Sequence, residues 1–105
     1  MSNTSERYKL YRYCSFKTSK TITQEYSTSF YAATDMFPAD MRDAIHSIYG
    51  FVRIADEIVD SFHEHDREKL LRDFERDYDE AYRMGISTNP ILYSFQWTVK
   101  QYNIP

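Results

Sequence analysis

Apolar residues recur at helical spacing along the whole chain, and no stretch alternates for long enough to suggest a strand. With two glycines and few clusters of turn-forming residues, hairpins have almost nothing on which to turn. The pattern predicts about four helices and no sheet. A first helix is expected to open near Thr21, where Thr21-x-x-Gln24 reads as a capping box, and to run toward Met36. Pro38 suits the first turn of a second helix, which carries on to about Asp60. The polar stretch Ser61 to Asp66 then leads to a third helix, about Asp66 to Arg83. Its stripe is Leu70, Leu71, Phe74, Tyr78, Ala81 and Tyr82. Its other face is laced with charge pairs at (i, i+4): Glu68 with Arg72, Lys69 with Asp73, Arg76 with Glu80, Asp79 with Arg83. Gly85 supplies the stop. Asn89 as N-cap and Pro90 as first helical residue open a fourth helix, about 90 to 103.

Two of these helices are too apolar for so short a chain. The second is apolar at ten of the sixteen positions from Ala44 to Val59. The fourth carries one stripe of Ile91, Leu92, Phe95, Val99 and Tyr102, and a second of Tyr93 and Trp97 on another face. A helix that is apolar nearly all round belongs in the middle of something larger. The expectation is an all-α body that continues beyond the chain: a basic arm over 1–20, then 21–105 as the N-terminal part of one domain, incomplete at its C-terminus.

Composition narrows this further. At 105 residues and 12.6 kDa there is room for one domain. The 28% of charged residues and the scarcity of Gly and Pro exclude collagen-like and low-complexity chains. No apolar run is long enough to span a bilayer, and no apolar segment follows the basic N-terminus as in a secretory signal. The lone Cys14 cannot close an intrachain disulfide and fits a reducing interior. The Asn3-Thr4-Ser5 sequon then carries no weight, and a cytoplasmic location is expected.

Charge is unevenly spread. Residues 1–20 are net +4, with Arg7, Lys9, Arg12, Lys17 and Lys20 against Glu6, whereas 21–65 are net −6. The arm also holds Tyr8, Tyr11 and Tyr13, a mix that could grip an anionic membrane surface or nucleic acid. Set against this is a frayed, solvated terminus. The remaining Tyr and Phe residues show no stacking pattern for RNA, so no nucleic-acid partner is expected, while peripheral membrane contact stays open.

The chemistry lies in the second helix. On a wheel of about 100° per residue with Asp56 at zero, Ile45, Tyr49 and Val52 fall within about 40° of it. Asp60 and Arg53 lie at about 40° and 60° on the same side, while Glu57 lies near 100°, beside His46. Two carboxylates one turn apart repel, and on an apolar wall they need positive charge nearby. Arg53 supplies one. The remainder suits Mg²⁺ or Mn²⁺, and Mg²⁺ prefers one or two carboxylates together with phosphate oxygens and water. The alternative is an acid pair on a solvated face.

The run Tyr26-Ser27-Thr28-Ser29-Phe30-Tyr31, then Pro38, then Ala44 through Asp60 with its R-x-x-D-x-x-x-D motif, resembles the N-terminal third of the phytoene/squalene synthase family, bacterial phytoene synthases above all. The similarity extends through Asn89-Pro90-Ile91-Leu92 and Ser94-Phe95-Gln96. The resemblance implies an all-α isoprenoid (terpenoid) synthase fold. It implies head-to-head joining of two prenyl diphosphates, here geranylgeranyl diphosphate to phytoene in carotenoid biosynthesis, through a cyclopropylcarbinyl diphosphate. By that resemblance Asp56 and Asp60 are Mg²⁺ ligands, Arg53 contacts diphosphate, Ser27 and Ser29 hydrogen-bond it, and Tyr49 can face a carbocation. NADPH would enter only for a squalene-type product.

Val52 stands where the family often has Cys, and no second aspartate-rich motif follows: Asp73 and Asp77 have the spacing but sit on the charge-laced third helix. The chain alone is therefore expected to be inactive and to self-associate through its apolar faces. The competing functional reading is a non-catalytic family member or excised module acting as an interaction or assembly factor. His63-Glu64-His65-Asp66 reads as a solvated loop, His46 as a surface histidine, and Cys14 as no nucleophile.

Overall fold

The structure, a computed structural model, describes residues 4–105; Asn3 of the sequon and the first three residues of the arm lie outside that range. Among the described residues there are five helices and no strand: α1 (Thr4–Tyr26), α2 (Thr28–Thr34), α3 (Ala39–Asp60), α4 (Arg67–Met84) and α5 (Pro90–Gln101). The all-α expectation holds.

The last three helices end where their capping chemistry says they should. Asp66 accepts from the Lys69 amide at 3.1 Å, and Gly85, at φ 74, terminates α4 in the left-handed region. Asn89 accepts from the amides of Ile91 and Leu92 at the start of α5. Pro38 sits one position earlier than expected, as the N-cap of α3. On α4, Glu68–Arg72 and Lys69–Asp73 form as predicted. The other two pairs are exchanged for shorter-range ones: Arg76 turns to Asp73 and Asp77, and Arg83 to Glu80.

The N-terminal third departs from expectation. The helix placed at Thr21 starts at Thr4, so residues 4–20, read as an open arm, are the greater part of α1. Thr21 caps nothing; its hydroxyl donates to the Lys17 carbonyl at 3.0 Å. The break comes at Ser27, whose extended backbone (φ −150) and Oγ, accepting from the Phe30 amide, begin α2. What holds α1 down is a row of small polar residues. Ser15, Ser19 and Thr23, four apart, are fully buried. Their hydroxyls donate back to carbonyls one turn earlier or meet hydroxyls opposite, so none needs water. Ser19 Oγ lies 2.8 Å from Ser94 Oγ, and on α3 Ser47 Oγ lies 2.7 Å from Thr98 Oγ1. A methyl at Gly50 would sit 3.2 Å from the Ser19 side chain, so this close approach of α1 and α3 favours glycine.

On the opposite side of α3 the packing is aromatic and aliphatic. Ile58, Phe74, Ala81 and Leu92 form a buried cluster with Phe51, Ile54, Ala55, Leu71 and Tyr78 against it. Phe51 stacks on Phe95 with centroids 3.9 Å apart. Helix α5 runs between these two regions and is buried on nearly every side. Its second stripe, expected to await further helices, is already covered by α1: Tyr93 is buried against Tyr11, and Arg12 lies flat on Trp97 at 3.6 Å.

Candidate functional site

Asp56 and Asp60 lie on the side of α3 turned away from α5. The face of α3 that buries itself is His46, Ser47, Gly50 and Ile58, whereas Val52, Asp56 and Asp60 are exposed, and Ile45 and Tyr49 are half-buried. The apolar arc of the wheel is thus an open wall, and Asp56 and Asp60 stand on it one turn apart. No described residue forms an ion pair with Asp56. Tyr49 stacks on Phe30 of α2, with centroids 5.0 Å apart, so the break at Ser27 brings an aromatic pair to the same wall.

Arg53 is the centre of a polar cluster. Its Nη2 lies 3.8 Å from Glu57 Oε1 and 3.9 Å from Asp60 Oδ2, and its guanidinium sits 5.3 Å from the centroid of Tyr26, at the end of α1. Both ion pairs are long, and the buried Nε has no hydrogen-bond partner. Glu57 accepts from the Ser61 hydroxyl, and this bond, with the nearby Tyr26 phenol and the charge of Arg53, holds its carboxyl below the usual range. The neighbouring Glu57 carboxylate in turn pushes the Tyr26 phenol above its ordinary value.

Arg53, Asp60 and Tyr49 therefore gather near the α1–α2 break, where Ser27 is the N-cap and Ser29 lies exposed one residue into α2. Sequence reasoning set Glu57 aside and did not consider Tyr26 or Ser61. Spacing is the signal that finds Glu57 and Ser61: Arg53 to Glu57 and Glu57 to Ser61 are both (i, i+4) steps on one helical face. His46 is a correction. It is 3% exposed, stacked on Tyr31 at 5.6 Å, with Nδ1 unpartnered. Burial, aided by the charge of Lys20, lowers its pKa. The wheel placed it on a polar face, but that face is the one that meets α1 and α2. Cys14 is exposed.

As a donor set, two exposed carboxylates fit a hydrated Mg²⁺ that shares its shell with phosphate oxygens. They do not make a closed cage: no group of three or more His, Cys, Asp or Glu able to hold a metal occurs among the described residues. No helix of the described residues is long and apolar enough to cross a membrane.

The family model described as squalene/phytoene synthase matches residues 23–105. The match covers α2 to α5 entire and the last turn of α1. Comparisons with curated proteins and with solved structures gave no match.

Proposed function

The chain belongs to the squalene/phytoene synthase family, and from that premise we propose that its open α3 wall is the first half of a head-to-head prenyltransferase site. Asp56 and Asp60 are the residues that would hold Mg²⁺, and the ion, when bound, would assist departure of diphosphate as a Lewis acid. Arg53 meets the diphosphate charge. Ser27 and Ser29 donate hydroxyl protons to it; Ser27 Oγ accepts from Phe30 and still has its own proton to give. Tyr49, braced by Phe30, offers a ring face to an allylic cation. The substrate in this reading is geranylgeranyl diphosphate and the product phytoene.

The observation that carries the reading is Arg53. Its two carboxylate contacts are long, its Nε is unsatisfied, and it stands beside the aspartate pair on an exposed apolar wall. A guanidinium so loosely held can still take a phosphate in its fork. With one aspartate-rich motif in its 105 residues, the chain alone should give no prenyl product from geranylgeranyl or farnesyl diphosphate with Mg²⁺. It should nonetheless bind Mg²⁺ together with inorganic pyrophosphate. In calorimetric titration, Asp56→Asn should weaken that binding roughly tenfold, and Glu57→Gln by much less, because Glu57 is occupied by Tyr26, Ser61 and Arg53. Equal losses in the two variants, or Mg²⁺-dependent product from the chain alone, would sink the assignment.

A further inference from the structure

On the side of α1 remote from Asp56 and Asp60, helices α1, α3 and α5 leave a groove of about 870 Å³. That is the size of a small-molecule site. One wall is cationic. Lys9, Arg12, Lys17 and Lys20 all line it from α1, spread over about 16 Å of helix. None of the four forms an ion pair with a described residue. Arg12 lies over the Trp97 ring, 3.6 Å from its centroid, and no hydrogen bond or ion pair to a described residue engages its guanidinium, so its two terminal nitrogens are held in place and unused. The other walls are not those of a lipid pocket. Tyr13 and Tyr102 present rings that are 62% and 50% exposed, and Tyr31 closes the end beside Lys20. Asp40 and Asp43 of α3 face the cations across the groove, with the Gln24 and Gln101 side chains also on its lining.

We propose that this groove binds a phosphorylated ligand with a flat ring, of the nucleotide class. The cation row takes the phosphates, with Arg12 as the fork. A tyrosine ring stacks on the base. The Asp40 and Asp43 carboxylates and the Gln101 amide opposite accept from and donate to sugar hydroxyls and the base edge, groups for which a bare phosphate or a hydrocarbon tail has no use. The site is separate from the aspartate wall and does not depend on it.

The test is calorimetric titration of the 105-residue chain with ATP in the presence of EDTA, which removes divalent ions from the α3 carboxylates. ATP should bind saturably and roughly tenfold more tightly than inorganic triphosphate or adenosine, since each supplies only half of the contacts. The double variant Lys17→Glu/Lys20→Glu should lose roughly tenfold in affinity. Both residues are exposed, and helicity by circular dichroism should be unchanged. Arg12→Lys keeps the charge and should still weaken ATP binding severalfold, whereas Asp56→Asn should leave it unaltered. Four results would each overturn the proposal: no saturable heat at millimolar ATP, equal affinity for inorganic triphosphate, indifference to the double variant, or preferential binding to phosphatidylserine vesicles over ATP.

Discussion

The two sides of α3 are built from different materials. Toward α4 and the adjoining face of α5, stability comes from area: Phe51, Phe74, Leu92 and Phe95 exclude water, and their rings stack. Toward α1, apart from Tyr93 under Tyr11, the buried residues are Ser15, Ser19, Thr23, Ser47, Gly50, Ser94 and Thr98, with little apolar area among them. There the gain is closeness. Small side chains let backbones approach, and each hydroxyl finds a partner before it is shut away from water. A fold can thus dock one face of a helix with almost no hydrophobic stripe, provided its hydroxyls are spaced four apart.

Truncating the aromatic side should cost most. Leu92→Ala, at a position with no exposure, should lose about 2–5 kcal/mol by chemical denaturation. A loss below about 1 kcal/mol would mean that this cluster is not the core. The polar seam breaks in the opposite way, by addition. Gly50→Ala gains about 1 kcal/mol of helix propensity but brings a methyl to 3.2 Å of Ser19, and overpacking of about 1–3 kcal/mol should outweigh it. In a Ser19→Gly background the same substitution should turn neutral or stabilising; strict additivity in that double-mutant cycle would refute the close contact.

The smallest effect is a pH dependence at the end of the seam. His46 is buried among Tyr31 of α2, Lys20 of α1, and Asp35 and Asp43, and its folded pKa is lowered. The unfolded chain therefore binds the proton more readily. Stability is fully present above the ordinary histidine value of about 6.5 and is lost as pH falls from there through the folded pKa. Denaturation midpoints measured from pH 7.5 down to 5 should fall less steeply in His46→Gln. An unchanged slope would place the titration elsewhere.

The same division explains what could be read in advance. Helices α4 and α5 were legible because their ends carry capping residues and their buried faces carry Leu, Ile and Phe at helical spacing, and α3 because its apolar arc, though largely open, repeats at the same spacing. Helix α1 was not, because Ser15, Ser19 and Thr23 look like solvated polar positions to any hydrophobicity pattern. Missing α1 also misplaced the cover of Tyr93 and Trp97 and the burial of His46. At the aspartate wall, the motif picked out Asp56, Asp60 and Arg53, whose facing a wheel can compute. It could not anticipate Tyr26, which reaches Glu57 and Arg53 from another helix.

The contact between Ser19 and Ser94 joins residues 75 positions apart. During synthesis at about 5–20 residues per second, α1 leaves the ribosome some 4–15 s before α5, which with α3 covers its inward face, exists. A greasy first helix would spend that interval as bait for aggregation or chaperones. One whose inward face is serine and threonine can wait in water at little risk, the Ser15 and Thr23 hydroxyls already bonded to its own carbonyls. Limited proteolysis of stalled nascent chains should find α1 cleavable until α5 has emerged. Protection that appears earlier would show that it does not wait.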